Sequence, residues 1–117
     1  MLDSDEVDYI KQNNIPVFKA PYKSSMLKEI LKHCSENVYV SIDLDGLDPS
    51  IMPSTGTPVP GGLFWNDIME IIEAVTKEKN VVGADVVELA PIPGLSAPDF
   101  LAANLVYKII GFKFAKK

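Results

Sequence analysis

Two aspartates, Asp43 and Asp45, stand two residues apart at the end of a segment rich in β-branched and aromatic residues. That composition predicts a strand over residues 38–45. Side chains two apart on a strand share a face, so both carboxylates are expected to project the same way. Two like charges this close repel each other unless they hold a cation or share a proton. Carboxylate oxygens suit a hard divalent ion such as Mn²⁺ or Mg²⁺.

A plainer interpretation of the same aspartates is that Asp45-Gly46 begins a turn and that Asp48 caps the next one. From these aspartates alone, the turn is the stronger interpretation. Residues 45–62 form a long connection dense in Asp, Gly, Pro, Ser and Thr. Connections of this length are uncommon inside compact domains and are usually functional or disordered.

The elements that must position these carboxylates alternate between helix and strand. The sequence predicts helices over residues 4–12, from Ser24-Ser25 onward, around Phe64 to Val75 and from Ser96 to Gly111, with strands over residues 15–20, 38–45 and 81–89. This order predicts an α/β fold with a parallel sheet between helical layers. Three strands leave two sheet edges that need partners, so we expect part of a larger α/β domain.

Composition excludes several classes of function. The chain carries 11 Lys and Arg against 16 Asp and Glu, a net charge of −5, so it lacks the basic face of a nucleic-acid binder. No apolar run approaches the roughly 18 residues of a membrane span, and the acidic start is unlike a targeting peptide. A single cysteine, Cys34, favours a reducing compartment. We therefore expect a cytoplasmic protein without nucleic-acid or membrane partners.

Two stretches resemble the signature of the ureohydrolase family, which comprises arginases, agmatinases and their relatives. They are SIDLDGLDPS at residues 41–50, continued by MPSTGTPVPGG at residues 52–62, and DVVELAP at residues 85–91. The closing segment, residues 99–107, is more similar to bacterial agmatinases than to animal arginases, and the turn at residues 91–94 also departs from many arginases. The resemblance covers the whole chain. It implies the C-terminal portion of one three-layer α/β/α domain with a mainly parallel sheet.

The resemblance also implies roles for individual residues. Asp43 and Asp45 match two aspartates that bind a pair of Mn²⁺ ions, which activate water for attack on a guanidinium carbon. Glu88 matches the glutamate that pairs with the substrate guanidinium, and Thr57 lies in the TGTP segment beside the metals. The implied substrate is a small cationic guanidino compound, with agmatine, giving putrescine and urea, favoured over arginine or another guanidino acid. A homo-oligomer, trimeric or hexameric, is implied for the intact enzyme.

The chain lacks two segments of the family's metal centre, a Gly-Gly-Asp-His segment and an Asp-Ala-His-x-Asp segment. Its single histidine, His33, falls on the polar side of the second helix and is expected on the surface. Two aspartates would leave most of each metal's coordination sphere to water. We therefore expect the chain alone to be inactive. A catalytically inactive α/β module used for binding or assembly is the alternative.

Other reactive or aromatic side chains are expected to be structural. Trp65, Phe64 and Tyr39 could form a platform for stacking a substrate, but their positions on a helix and a strand favour packing in the core. Cys34 falls on the apolar face of the second helix, where a buried thiol is expected.

Overall fold

The computed structural model describes residues 3–115, which form two parallel strands and four α-helices. The elements are α1 (Ser4–Gln12), α2 (Leu27–His33), β1 (Asn37–Asp43), α3 (Trp65–Glu78), β2 (Asn80–Val87) and α4 (Ala97–Phe114). Short 3-10 turns precede α2 at Ser24–Met26 and follow β1 at Leu44–Gly46. Apart from one strand, the predicted alternation of helix and strand is confirmed.

Strands β1 and β2 lie side by side and run parallel. Their register pairs Asn37 with Asn80 at one end and Asp43 with Val87 at the other, with one irregularity between Val38 and Tyr39. The carboxyl ends of both strands therefore meet at one edge of the sheet, where open α/β sheets place their ligands.

Helices α3 and α4 cover one face of this sheet. Ile42 of β1 packs with Ile68 and Ile72 of α3 and with Leu105 and Ile109 of α4 in one buried cluster. These residues recur at helical spacing on α3 and α4, so each helix turns an apolar stripe towards the strands. The packing fixes both strand ends relative to the two helices.

The predicted strand over residues 15–20 is wrong. These residues form neither helix nor strand, and Ile15, Val17 and Phe18 are at least 39% exposed. A strand needs a neighbour to satisfy its backbone groups, and β1 pairs only with β2 within residues 3–115. Pro16 further removes one donor from the segment. Local composition therefore suggested a strand that has no partner.

Two other expectations need correction. Helix α4 does not end at Gly111 but continues to Phe114. The sheet is covered on one face rather than two in the described part of the chain, since Tyr39, on the face opposite α3 and α4, is 61% exposed. Helix α4 also leaves Ile110 and Phe114 more than half exposed, and large apolar side chains exposed together normally lie at a surface that another element or partner covers. Both features are those of a portion of a larger domain.

The β1–α3 loop (residues 47–64) is closed at its base by backbone hydrogen bonds. The N–H of Asp48 donates to the Leu63 carbonyl at 3.0 Å, and the N–H of Leu63 donates to the Gly46 carbonyl at 2.9 Å. The two ends approach so closely at Gly62 that a Cβ there would lie 2.6 Å from the Asp48 nitrogen and the Leu47 carbonyl carbon. Only glycine fits this position without movement of the backbone.

We expect Gly62→Ala to lower the free energy of unfolding by about 1–3 kcal/mol, because the added methyl group forces the base of the loop apart. Gly56→Ala is the matched control, since a Cβ at Gly56 in the same loop has no atom within 4 Å. Urea denaturation of both variants measures the difference. Equal losses in the two variants would contradict the close approach at Gly62.

The segment before α2 is tied to α3 through Glu70. The hydroxyl groups of Tyr22 and Ser24 both donate to Oε2 of Glu70, at 3.0 and 2.8 Å. Burial, followed by the hydrogen bond and charge of Glu70, raises the pKa of Tyr22 to about 12. The tie therefore needs the protonated phenol.

We expect this tie to weaken at high pH. Folding raises the pKa of Tyr22, so the protonated phenol stabilises the folded chain. This stabilisation is complete below the unfolded pKa near 10 and is lost as the pH rises towards 12. The free energy of unfolding should fall more steeply from pH 10 to 12 in the unmodified chain than in Tyr22→Phe. Tyr9→Phe, which alters an exposed tyrosine, serves as the control and should follow the unmodified chain.

Candidate active site at the carboxyl end of the sheet

Asp43 ends β1 and caps the turn that follows. Its Oδ1 accepts the Asp45 N–H at 2.9 Å, and residues Leu44–Gly46 form a 3-10 turn. Asp45 is therefore not on the strand, and the expectation that both carboxylates project from one strand face is wrong. The physical reason is that an aspartate can bond to the backbone two residues on, which competes with continued extension. The fully buried Leu44 then anchors the turn in the core.

Asp45 is oriented by the β1–α3 loop. Its Oδ2 accepts the Thr57 hydroxyl at 2.8 Å, and its Oδ1 accepts the Thr57 N–H at 3.2 Å. The side chain of Thr55 and the two donors of Thr57 hold the pKa of Asp45 below its usual range. The structure thus brings Thr57 to Asp45 across twelve residues and favours the ionised carboxylate.

Glu88 follows β2 directly and has an unusual backbone. Its φ is +68°, in the left-handed region that residues other than glycine rarely adopt. Two residues later the Ala90 N–H donates to the Ser54 carbonyl at 2.8 Å, which ties this segment to the β1–α3 loop. Because Val87 pairs with Asp43, Glu88 emerges at the same end of the sheet as Asp43. Glu88 is exposed to solvent in the described structure.

Asp48 is a structural carboxylate of the loop. Its Oδ1 accepts the N–H and hydroxyl of Ser50, and its Oδ2 accepts the Gly61 N–H at 2.9 Å. These donors, Ser50 first, hold the pKa of Asp48 below its usual range. The plainer interpretation, that Asp48 caps a turn, is therefore correct for this residue.

The donor set is suited to a hard cation but is incomplete. Asp43 and Asp45 offer carboxylate oxygens of the kind Mn²⁺ and Mg²⁺ prefer. Within residues 3–115, however, no group of three or more His, Cys, Asp or Glu side chains is placed to hold a metal ion. His33 is exposed on α2, where its Nε2 lies 3.5 Å from Glu29 Oε1. A metal ion held by Asp43 and Asp45 would need further ligands from outside the described residues.

Sequence reasoning missed the hydrogen bond between Tyr39 and Asp85 on the open face of the sheet. Tyr39 was expected in the core, but its hydroxyl donates to Oδ2 of Asp85 at 2.9 Å. Phe64, also expected in the core, is half exposed, whereas Trp65 packs against the buried cluster. The available signal was Asp85 itself, since a charge within an otherwise apolar strand needs a partner.

Comparison with known proteins places the chain in a family. A sequence model of the Arginase family matches residues 1–111. The chain belongs to the arginase family. An N(1)-aminopropylagmatine ureohydrolase of Thermus thermophilus is 43% identical to this arginase-family chain over 115 residues, and an agmatinase of Pyrococcus horikoshii is 35% identical over 108 residues. These matches cover 96% and 92% of the chain but only 39% and 38% of the two relatives.

Structural comparison gives the same assignment. The arginase of Bacillus subtilis superimposes on the chain with a TM-score of 0.81 and 27% identity, covering 100% of this chain and 42% of that enzyme. The α/β fold class with a parallel sheet is thereby confirmed, and the chain spans about two fifths of the arginase fold. No helix in residues 3–115 combines the length and apolarity that crossing a membrane would require.

Proposed function

We propose that this chain is the C-terminal, guanidinium-binding part of a Mn²⁺-dependent ureohydrolase that converts agmatine or a close relative into an amine and urea. The observation that supports this most is the placement of three matched acidic residues, Asp43, Asp45 and Glu88, at one end of two adjacent parallel strands. The names of the relatives, N(1)-aminopropylagmatine ureohydrolase and agmatinase, favour a decarboxylated guanidino substrate over arginine.

Each residue has a defined part in this proposal. The Glu88 carboxylate accepts charge-assisted hydrogen bonds from the guanidinium group and so orients its central carbon. Asp43 and Asp45 hold Mn²⁺ together with ligands from outside the described residues, and Thr57 keeps Asp45 in its orientation. When bound, the metal pair makes water acidic enough to serve as a nucleophile near neutral pH. A homo-oligomer and a cytoplasmic location remain predictions.

An inactive binding or assembly module is the second candidate. It is favoured by the incomplete set of metal ligands in residues 3–115. The two candidates differ in their response to Mn²⁺. A site that holds metal in the intact enzyme binds Mn²⁺ tightly and stoichiometrically, whereas two aspartates alone bind it weakly.

The experiment compares the 117-residue chain with a completed protein. In the completed protein, this chain replaces the segment of the Thermus thermophilus relative that it matches. With Mn²⁺, we expect the completed protein to release urea from agmatine or N(1)-aminopropylagmatine faster than from arginine. The chain alone should release none, and calorimetry should show only weak Mn²⁺ binding to it.

The controls make the outcome decisive. Asp43→Ala in the completed protein should abolish urea release, whereas Asp8→Ala, at an exposed position on α1, should leave it unchanged. A folded completed protein that releases urea from no guanidino compound would overturn the proposed function. Urea release by the chain alone that Asp43→Ala abolishes would show that the chain needs no further ligands.

A further inference from the structure

The carboxylate of Asp85 joins β2 to β1 through both of its oxygens. Its Oδ1 accepts the Ser41 hydroxyl at 2.6 Å, and its Oδ2 accepts the Tyr39 hydroxyl at 2.9 Å. Ser41 is the direct cross-strand partner of Asp85. Hydrogen bonds to a carboxylate are stronger than those between neutral groups, and two of them at fixed positions define both distance and orientation.

A glycine makes this arrangement possible. Tyr39 pairs with Gly83, and a Cβ on Gly83 would lie 2.7 Å from Cε2 of the Tyr39 ring. The ring therefore lies over Gly83, and from there its hydroxyl reaches Asp85. We call Tyr39, Ser41, Gly83 and Asp85 the strand clasp.

The strand clasp lies between an irregularity and the candidate active site. The register of β1 and β2 shifts between Val38 and Tyr39, so pairing before the shift does not determine pairing after it. The opposite face of the two strands packs in the core and specifies which side chains point inward, whereas the face that carries the clasp contributes the hydrogen bonds of Asp85. The side chains of the clasp add two hydrogen bonds at fixed positions between the strands immediately after the shift.

The two strand ends beyond the clasp carry the site. Asp43 follows Ser41 by two residues on the same face, and Glu88 follows Asp85 by three residues. A slip of one residue in the register would move Asp43 by about 3.3 Å along Glu88's strand and turn alternate side chains to the other face. The clasp is therefore the side-chain contact between the two strands that lies next to these two carboxylates in the described residues.

We propose that Asp85 is a positioning residue, which fixes Asp43 relative to Glu88 by bonding Tyr39 and Ser41 across the two strands. This proposal rests on the proposed function, since it assigns a purpose to the spacing of the two site residues. Asp85 acts through Asp43 and Glu88 and makes no contact with substrate.

The test uses Asp85→Asn in the completed protein. We expect kcat for agmatine to fall about 10- to 100-fold with little change in KM, because a displacement of about 1 Å at the reacting groups can cost a hundredfold in rate. Ser41→Ala and the milder Tyr39→Phe should each give part of this loss. Ser41→Thr, which keeps the hydroxyl, should restore most of the rate that Ser41→Ala loses.

Asn37→Ala is the matched structural control. It removes the hydrogen bond from Asn80 Nδ2 to Asn37 Oδ1, 2.7 Å long, which joins the same two strands before the register shift. If Asp85 has a merely structural role, Asn37→Ala and Asp85→Asn should lower the melting temperature by similar amounts and should have the same effect on kcat. Positioning predicts a loss of kcat in Asp85→Asn alone.

A second readout does not depend on activity. In the 117-residue chain, NMR contacts between the paired backbones of Asp43 and Val87 should weaken in Asp85→Asn and persist in Asn37→Ala. If the completed protein releases no urea, the proposed function fails and this measurement still decides the role of Asp85. Unchanged Asp43–Val87 contacts in Asp85→Asn, or an unchanged kcat in an active completed protein, would overturn the proposal.

Discussion

Glu88→Gln in the completed protein should lower kcat/KM for agmatine by about a hundredfold or more. The amide keeps the size of the side chain but replaces one acceptor oxygen with a donor, which faces the donors of the guanidinium group. Removing one partner of a charge pair at a binding site commonly costs 2–5 kcal/mol, or roughly 30- to 5,000-fold. Steady-state urea release measures the ratio.

Glu36→Gln is the control for this prediction. It removes the same charge next to Asn37, at the opposite end of β1, where an exposed glutamate precedes the strand. The net charge of the protein therefore changes equally in both variants. A comparable loss of activity in Glu36→Gln would mean that overall charge, and not contact with the substrate, explains the effect.

The left-handed backbone of Glu88 makes a second, separable prediction. A residue other than glycine at φ +68° costs about 1–2 kcal/mol. Glu88→Gly should therefore unfold at a higher urea concentration than Glu88→Ala, although both lack the carboxylate and both should be inactive. That result would show that the strained backbone of Glu88 lowers stability and that its benefit is the position it gives the carboxylate.

The elements with strong local signals could be predicted from the sequence. Helix α1 begins at Ser4 as predicted, because Asp3 and Glu6 form reciprocal hydrogen bonds at its start. Helix α3 was found because apolar residues recur at helical spacing, and strand β2 because its residues form an almost continuous apolar run. The parallel direction of β1 and β2 also followed from the alternation of elements.

Features that depend on tertiary partners could not be predicted. Residues 15–20 have the composition of a strand but no neighbour with which to pair, and Tyr39 lies on a face that the described helices leave open. The turn at Asp45 was among the alternatives that the sequence offered. The hydrogen bonds from Thr57 to Asp45 span twelve residues, however, and no local pattern predicts them. The strand clasp depends on a register shift, which only the paired strands reveal.

Mn²⁺ should raise the melting temperature of the completed protein. An ion that binds only the folded state stabilises it by mass action, by about 2.7 kcal/mol at a concentration one hundred times the dissociation constant. For a protein larger than about 150 residues this corresponds to a rise of roughly 5–10 °C. The 117-residue chain should show little or no rise at the same concentration, since no third ligand is placed near Asp43 and Asp45 in its described part. Melting curves with Mn²⁺ and with a chelator measure both.

Asp45→Asn should remove most of this metal-dependent rise, because it deletes a charged oxygen ligand. Thr57→Val provides the comparison: it removes the 2.8 Å hydrogen bond to the Asp45 carboxylate but leaves the carboxylate in place. Both variants should melt somewhat lower than the unmodified protein in chelator, since each weakens the contact between Asp45 and the β1–α3 loop. Only Thr57→Val should then recover a large rise with Mn²⁺. An Asp45→Asn protein that keeps the full response would show that Asp45 is not a ligand and that its bonds to Thr57 serve only to hold the loop.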